Sequence, residues 1–161
     1  MKTLVWNCRG LGNTSAVQLI SKIAETTNPF ILFLMETKQK KGRGKYWTHR
    51  WNFENFCEVE RVGLSGGLLL CWKNISLNVL EATKNFIHTR MKHPTFGLCY
   101  FTFVYGHPKT RKRKEVWDQL ASFQEHINGP WIWIGDFNQV LSNAKKKILN
   151  LSKLSRSFTF T

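Results

Sequence analysis

An α/β fold is predicted for this chain by three observations. Short continuous apolar runs have strand length, two segments space their apolar residues as helices do, and turn residues divide the middle of the chain into successive strands. With 161 residues, 42% of them hydrophobic and 14% aromatic, there is enough material for one packed domain, which excludes disorder as the default. Most of the seven Trp and twelve Phe read as core, because they fall in runs with Leu, Ile and Val.

In chain order, Leu4–Trp6 is a short strand that ends at Asn7, and Gly10 and Gly12 mark the loop after it. Thr14 or Ser15 caps a helix whose apolar positions are Val17, Ile20, Ile23 and Ala24, and Pro29 closes that segment. Phe30–Met35 is a strand ending at Glu36, and the basic, glycine-containing stretch from Lys38 to Arg50 reads as a loop with one helical turn. Strands follow at Phe56–Val59, Gly67–Trp72, Ser76–Leu80, Phe86–Met91 and Gly97–Tyr105. Turns at Gly63–Gly66, Lys73-Asn74 and His93-Pro94 suggest antiparallel hairpins, with Gly66-Gly67 as a tight turn into its strand. Val116, Leu120, Phe123 and Ile127 give one amphipathic helix over Thr110–Ile127, ended by Gly129-Pro130. Trp131–Ile134 is a last strand running into Gly135-Asp136-Phe137-Asn138. The pattern divides the chain into residues 1–141 and a basic, divergent tail, 142–161.

Charge narrows the partners. Lys plus Arg number 24 against 10 Asp plus Glu, a formal net charge of +14, and such a surface attracts polyanions, nucleic acid first. The excess gathers in Lys38–Lys45, in Lys109, Arg111, Lys112, Arg113 and Lys114, and in the tail. The middle cluster sits at the start of a helix, where cations oppose the helix dipole, so it favours a contact with phosphate backbone or a nuclear-import signal; solvated charge is the plain alternative. Cys8, Cys57, Cys71 and Cys99 are widely spaced and form no C-x-x-C pair, as expected of buried free thiols in a reducing compartment. No segment has the length of a membrane span, and the N-terminal apolar run is too short for a signal peptide. A soluble intracellular protein is expected, with the nucleus preferred over the cytoplasm.

Four strands end in a polar group: Asn7, Glu36, Tyr105 with His107 beyond it, and Asp136 with Asn138. Ligands gather outside strand ends in α/β sheets, so aligned strands would bring these groups to one site. Taken singly, Asn7 reads as a turn residue, Glu36 as a surface charge, Asp136 with Asn138 as an Asx turn, and His107 as a solvated loop residue. His88 and His93 have no evident partner.

Trp6-Asn7-Cys8-Arg9-Gly10, Met35-Glu36-Thr37-Lys38, Ser65-Gly66-Gly67, Tyr105-Gly106-His107-Pro108 and Gly135-Asp136-Phe137-Asn138 occur in the order found in the endonuclease/exonuclease/phosphatase family. The chain resembles that family, and most of all the endonuclease domains of plant LINE-type retrotransposons. The resemblance implies a magnesium-dependent phosphodiesterase that nicks DNA. Charge grows on the phosphoryl oxygens in the transition state, which calls for a hard cation held by a carboxylate. Glu36 is the candidate Mg2+ ligand, with Asn7 orienting it or binding metal-linked water. Asp136 is the candidate base or water-aligning acceptor, Asn138 a donor to the crowded phosphorane, and Tyr105 a donor to a phosphate oxygen. The alternative is a non-enzymatic basic fragment that binds nucleic acid.

Family members continue beyond the Gly-Asp-Phe-Asn element to an ending in which an Asp pairs with a catalytic His. Here Asp118 and Asp136 are the only aspartates, and residues 137–161 contain no Asp, Glu or His. The resemblance therefore implies an incomplete four-layer α/β sandwich lacking its C-terminal half, inactive as it stands, with sheet edges and one inner face exposed. It also implies that the reverse-transcriptase region of intact relatives is absent.

Overall fold

A computed structural model of the chain describes residues 1–138; the boundary read at residue 141 and the basic stretch after it lie outside the described residues. Strands β1 (Thr3–Asn7), β2 (Ile31–Met35), β3 (Asn55–Val62) and β4 (Ser65–Trp72) form one sheet in the order β1-β2-β4-β3. Strands β5 (Leu77–Ala82), β6 (Phe86–His93), β7 (Gly97–Tyr105) and β8 (Trp131–Asp136) form a second in the order β5-β6-β7-β8. Each sheet is mixed: β1 with β2 and β7 with β8 run parallel, and the other neighbours run antiparallel.

The sheets face each other across a core that includes Phe33, Met35, Leu68 and Leu70 from the first and Ile87, Phe101, Phe103 and Tyr105 from the second. Alternation along the strands sends the other residues outward. On the first sheet's outer face, Leu4, Trp6, Leu32, Leu34, Leu69 and Cys71 meet Val17 and Ile20 of helix α1 (Thr14–Thr27) and Trp47 of helix α2 (Gly44–Arg50). On the second, Phe86 and Val104 meet Val116 and Leu120 of helix α3 (Arg113–Ser122). The result is α/β in four layers, helix, sheet, sheet, helix, as expected.

Several local expectations change. The cap of α1 is Asn13, whose side-chain oxygen accepts from the Ser15 and Ala16 amides, and not Thr14 or Ser15, which are already helical. Residues 44–50 are a helix rather than a single turn, because Trp47 buries against the sheet and stacks on Trp51 just beyond the last turn. The expected helix Thr110–Ile127 is broken: 3-10 turns at Thr110–Lys112 and Gln124–His126 flank α3, and Phe123, between α3 and the second of these turns, stacks on His88 at 4.4 Å.

Lys73-Asn74 does not close a hairpin. It carries the chain from one sheet to the other. Gly66-Gly67 is not the turn either; that is Gly63-Leu64, and both glycines lie inside β4 with φ of 76° and 87°. A Cβ on Gly67 would stand 2.5 Å from Thr37 Oγ1, so the loop after β2 can lie against β4 only because this position is glycine. The inner faces are not left open: both sheets come from residues 3–136 and cover each other. Of the residues along β8, Ile132 at 45% exposure is the open apolar one.

All four cysteines are free, and Cys57 is half-buried rather than buried. Burial pushes Cys8 up to about 11 and Cys71 up to about 12, which leaves both as neutral thiols. No helix among the described residues is long and apolar enough to cross a membrane.

Candidate active site

The parallel pairing of β1 with β2 sets Asn7 beside Met35, so Asn7 and Glu36 leave the first sheet at the same edge. The parallel pairing of β7 with β8 sets Tyr105 beside Asp136 at one edge of the second sheet. Face-to-face packing brings these two edges together, and β1 touches β8.

Asn7 is the joint. Its Nδ2 donates to Glu36 Oε1 at 3.0 Å and to Asp136 Oδ2 at 3.3 Å, so one neutral amide holds two carboxylates from opposite sheets. The Tyr105 hydroxyl donates to the same Glu36 Oε1 at 2.8 Å. Burial raises the phenol's pKa, and the adjoining Glu36 and Asp136 carboxylates raise it further, so it stays protonated as the donor. Glu36 Oε2 accepts from no described residue, and no Lys or Arg among the described residues pairs with Glu36 or Asp136.

The backbone here is held under strain. Arg9, Glu36, Lys38 and Asn138 have φ of 51°, 54°, 54° and 50°; for residues other than Asn the left-handed region costs roughly 1 to 2 kcal/mol each. The loop after β2 is pinned by Thr37 N to Gly67 O at 3.0 Å, Lys38 N to Gly66 O at 2.9 Å and Leu11 N to Thr37 O at 3.0 Å. Those bonds fix where the Glu36 side chain starts.

Asn138 turns back on its neighbours. Its backbone N–H donates to Asp136 Oδ1 at 2.9 Å, an Asx turn, and its Nδ2 donates to Gly106 O at 2.6 Å. A Cβ at Gly106 would lie 2.2 Å from Phe137 O, so this approach of the two strand ends requires glycine. The five strand-end residues expected to converge do so, although Tyr105 and Asn138 spend protons inside the site rather than pointing them outward.

The basic run beside the site divides by role. Lys109, Arg111 and Lys112 are exposed. Arg113 instead clamps the loop, donating to His107 O at 3.0 Å and Pro108 O at 3.1 Å, and Lys114 pairs with Asp118 at 2.8 Å. His107 is a loop-building residue: its Nδ1 accepts from the Lys109 amide at 3.0 Å. Burial first, then the charges of Lys112 and Lys84, lower its pKa. His88 is buried on the outer face of the second sheet, 2.8 Å from Thr102 Oγ1, away from the site. His93 accepts the Thr95 and Phe96 amides in the β6–β7 turn.

Among the described residues no group of three or more His, Cys, Asp or Glu side chains gathers as a metal site. Two carboxylates, bridged by the Asn7 amide nitrogen, form a hard oxygen donor set with one carboxylate oxygen unengaged. That suits a cation that keeps most of its water, such as Mg2+, and not zinc.

No curated protein matches the chain. Solved structures match its fold. An AP endonuclease from Archaeoglobus fulgidus is 15% identical with a TM-score of 0.63, over 89% of this chain and 59% of that one. The 3' phosphatase NExo from Neisseria bound to product DNA hairpin is 16% identical with a TM-score of 0.61, over 89% of this chain and 60% of that one. The endonuclease domain of TRAS1, a telomere-specific non-LTR retrotransposon, is 13% identical with a TM-score of 0.64, over 92% of this chain and 69% of that one. The chain thus spans about three fifths of the length of the first two. Residues 4–155 match the sequence profile of the Endonuclease/Exonuclease/phosphatase family, and the chain belongs to that family.

Proposed function

We propose that this chain carries the metal-binding part of a magnesium-dependent phosphodiesterase site that acts on DNA, of the LINE-type retrotransposon endonuclease kind. The observation that supports it most is the Asn7 amide bridging Glu36 and Asp136 across the two sheets, which leaves two negative groups side by side with no basic partner among the described residues. Like charges so arranged are stabilised by a divalent cation. The DNA hairpin bound to NExo and the retrotransposon origin of TRAS1 support the substrate class.

Glu36 would hold Mg2+ through its unengaged Oε2, with Asn7 and Tyr105 fixing its other oxygen. When bound, the cation neutralises charge that develops on a phosphoryl group. Asp136 accepts a proton from, or aligns, an attacking water. The Tyr105 hydroxyl and the second N–H of the Asn138 amide would serve as donors to phosphate oxygens. Lys109, Arg111 and Lys112 contact the phosphate backbone from the β7–α3 loop, and the same basic run suits nuclear import. No Asp, Glu or His follows Asp136, so the protonating His that the family pairs with an Asp is not among these residues.

The test combines Mg2+ titration calorimetry with nicking of supercoiled plasmid, in magnesium and in chelator, for the chain and for Glu36→Ala and Asp136→Ala. The expected result is saturable Mg2+ binding, lost or weakened about 100-fold in both variants, without nicking. Magnesium-dependent nicking abolished by both substitutions would mean that the groups present suffice for turnover. Absence of Mg2+ binding, with DNA binding that is salt-sensitive and indifferent to both carboxylates, would overturn the enzymatic reading in favour of a basic binding module.

A further inference from the structure

Asn85, in the β5–β6 turn, is polar yet only 6% exposed. Its Nδ2 donates to the Tyr105 carbonyl at 2.9 Å, while its own carbonyl accepts the Tyr105 amide at 2.6 Å. The turn that presents it is rigid. Thr83 Oγ1 accepts the Asn85 and Phe86 amides at 3.2 Å each, and Thr83 N donates to Phe86 O at 2.8 Å.

The next residue is gripped from the other side: Gly106 N donates to Asp136 O at 2.7 Å, and Gly106 O accepts from Asn138 Nδ2. Two asparagine amides, from different turns, therefore each hold one carbonyl of the Tyr105-Gly106 pair. Beyond that pair the Tyr105 phenol reaches across to the opposite sheet and ends on Glu36.

We infer that Asn85 is a positioning residue: it fixes the backbone of Tyr105, and through the phenol it fixes the Glu36 carboxylate for its cation. The inference rests on the metal-binding reading above. Nothing in the geometry requires Asn85 to touch cation or substrate. A buried residue whose side-chain amide holds the Tyr105 carbonyl and whose backbone carbonyl holds the Tyr105 amide has little freedom, and Tyr105 inherits that restriction.

Asn85→Ala tests this, because it keeps the backbone bond from Tyr105 N and removes only the side-chain donor. The expected result is a folded protein whose Mg2+ affinity, by calorimetry, falls about 10-fold. Tyr105→Phe should cost a similar factor, and the double variant no more than either single one, since both act along one path. A variant with a lower melting temperature and unchanged Mg2+ affinity, or losses that multiply in the double variant, would overturn the inference.

A second readout is independent of the metal. The chain has three Tyr, so fluorotyrosine labelling gives three resonances, with Tyr105 identified by Tyr105→Phe. Displacement and broadening of that resonance in metal-free Asn85→Ala is expected, and an unchanged resonance sinks the proposal. If the wild-type chain binds no Mg2+, the metal-binding reading fails, and the resonance alone then decides whether Asn85 governs Tyr105.

Discussion

Two polar networks cross the second sheet on opposite faces, and they are built to different rules. On the inner face, Tyr105 and Asp136 join Glu36 and Asn7 in a cluster with one neutral amide between two carboxylates. On the outer face, Trp131 Nε1 donates to Thr102 Oγ1 at 2.8 Å, and that hydroxyl lies 2.8 Å from His88 Nδ1. Trp131 can only donate and, among the described residues, Thr102 has no other acceptor, so the hydroxyl proton goes to His88, whose Nδ1 is then unprotonated.

The outer network is neutral, with Thr102 and His88 buried and the imidazole stacked against Phe123 at 4.4 Å. The inner one is charged and open, with Glu36 and Asp136 part-exposed and acceptor capacity to spare. A buried neutral network holds the fold together, whereas one that leaves like charges adjacent is held in place by the rest of the fold.

That contrast can be broken most forcefully at Thr102. Thr102→Val leaves the half-buried Trp131 indole N–H and the buried His88 imidazole without a partner, and should cost on the order of 2 kcal/mol by urea unfolding, with Mg2+ affinity unchanged. A loss of Mg2+ binding there would show the two networks to be coupled.

Glu36→Gln should move stability the other way. Removing one of two adjacent charges while keeping an acceptor for Asn7 and Tyr105 is expected to stabilise the metal-free protein by about 1 kcal/mol, measured by thermal unfolding, as Mg2+ binding disappears. A drop in melting temperature would mean that the carboxylate pair supports the fold.

The smallest effect expected is on pH dependence. Burial lowers the pKa of His88, so the unfolded chain takes up the proton first as pH falls. Stability is therefore full above about 6.5, the ordinary histidine value, and is lost progressively as pH falls from there to the lowered value in the folded protein. His88→Phe should flatten that portion of the stability profile. An equal slope in wild type and variant would assign it to other groups.

The fold class and the meeting of the strand ends were legible in the sequence; the assignment of each strand to its sheet was not. Asn7, Glu36, Tyr105 and Asp136 each stop an apolar run, and a polar residue there has nowhere to go but the sheet edge. Their convergence followed once β1 paired with β2 and β7 with β8. Asn85 was not legible, because a lone Asn in the polar turn Thr83-Lys84-Asn85 looks like ordinary turn chemistry until the β7 backbone is beside it.

Sheet membership was hidden for a similar reason. Lys73-Asn74 and His93-Pro94 are equally good turns, yet the first leads to the other sheet and the second closes β6 on β7. Local chemistry sets the bend but not the partner. Helix α2 did leave a signal that basic residues masked: Trp47 and Trp51 stand four apart, and they stack at 5.1 Å.

The Asn7 to Asp136 bond joins residues 129 positions apart, so it sets a clock on synthesis. At ordinary ribosomal speeds roughly ten seconds separate the emergence of one partner from that of the other. During that interval the first sheet can assemble from β1 to β4, with Glu36 exposed at its edge and no companion charge. The cluster of Asn7, Glu36, Tyr105 and Asp136 comes into being only with the last described strand, so a nascent chain cannot use it to guide the folding of the first sheet.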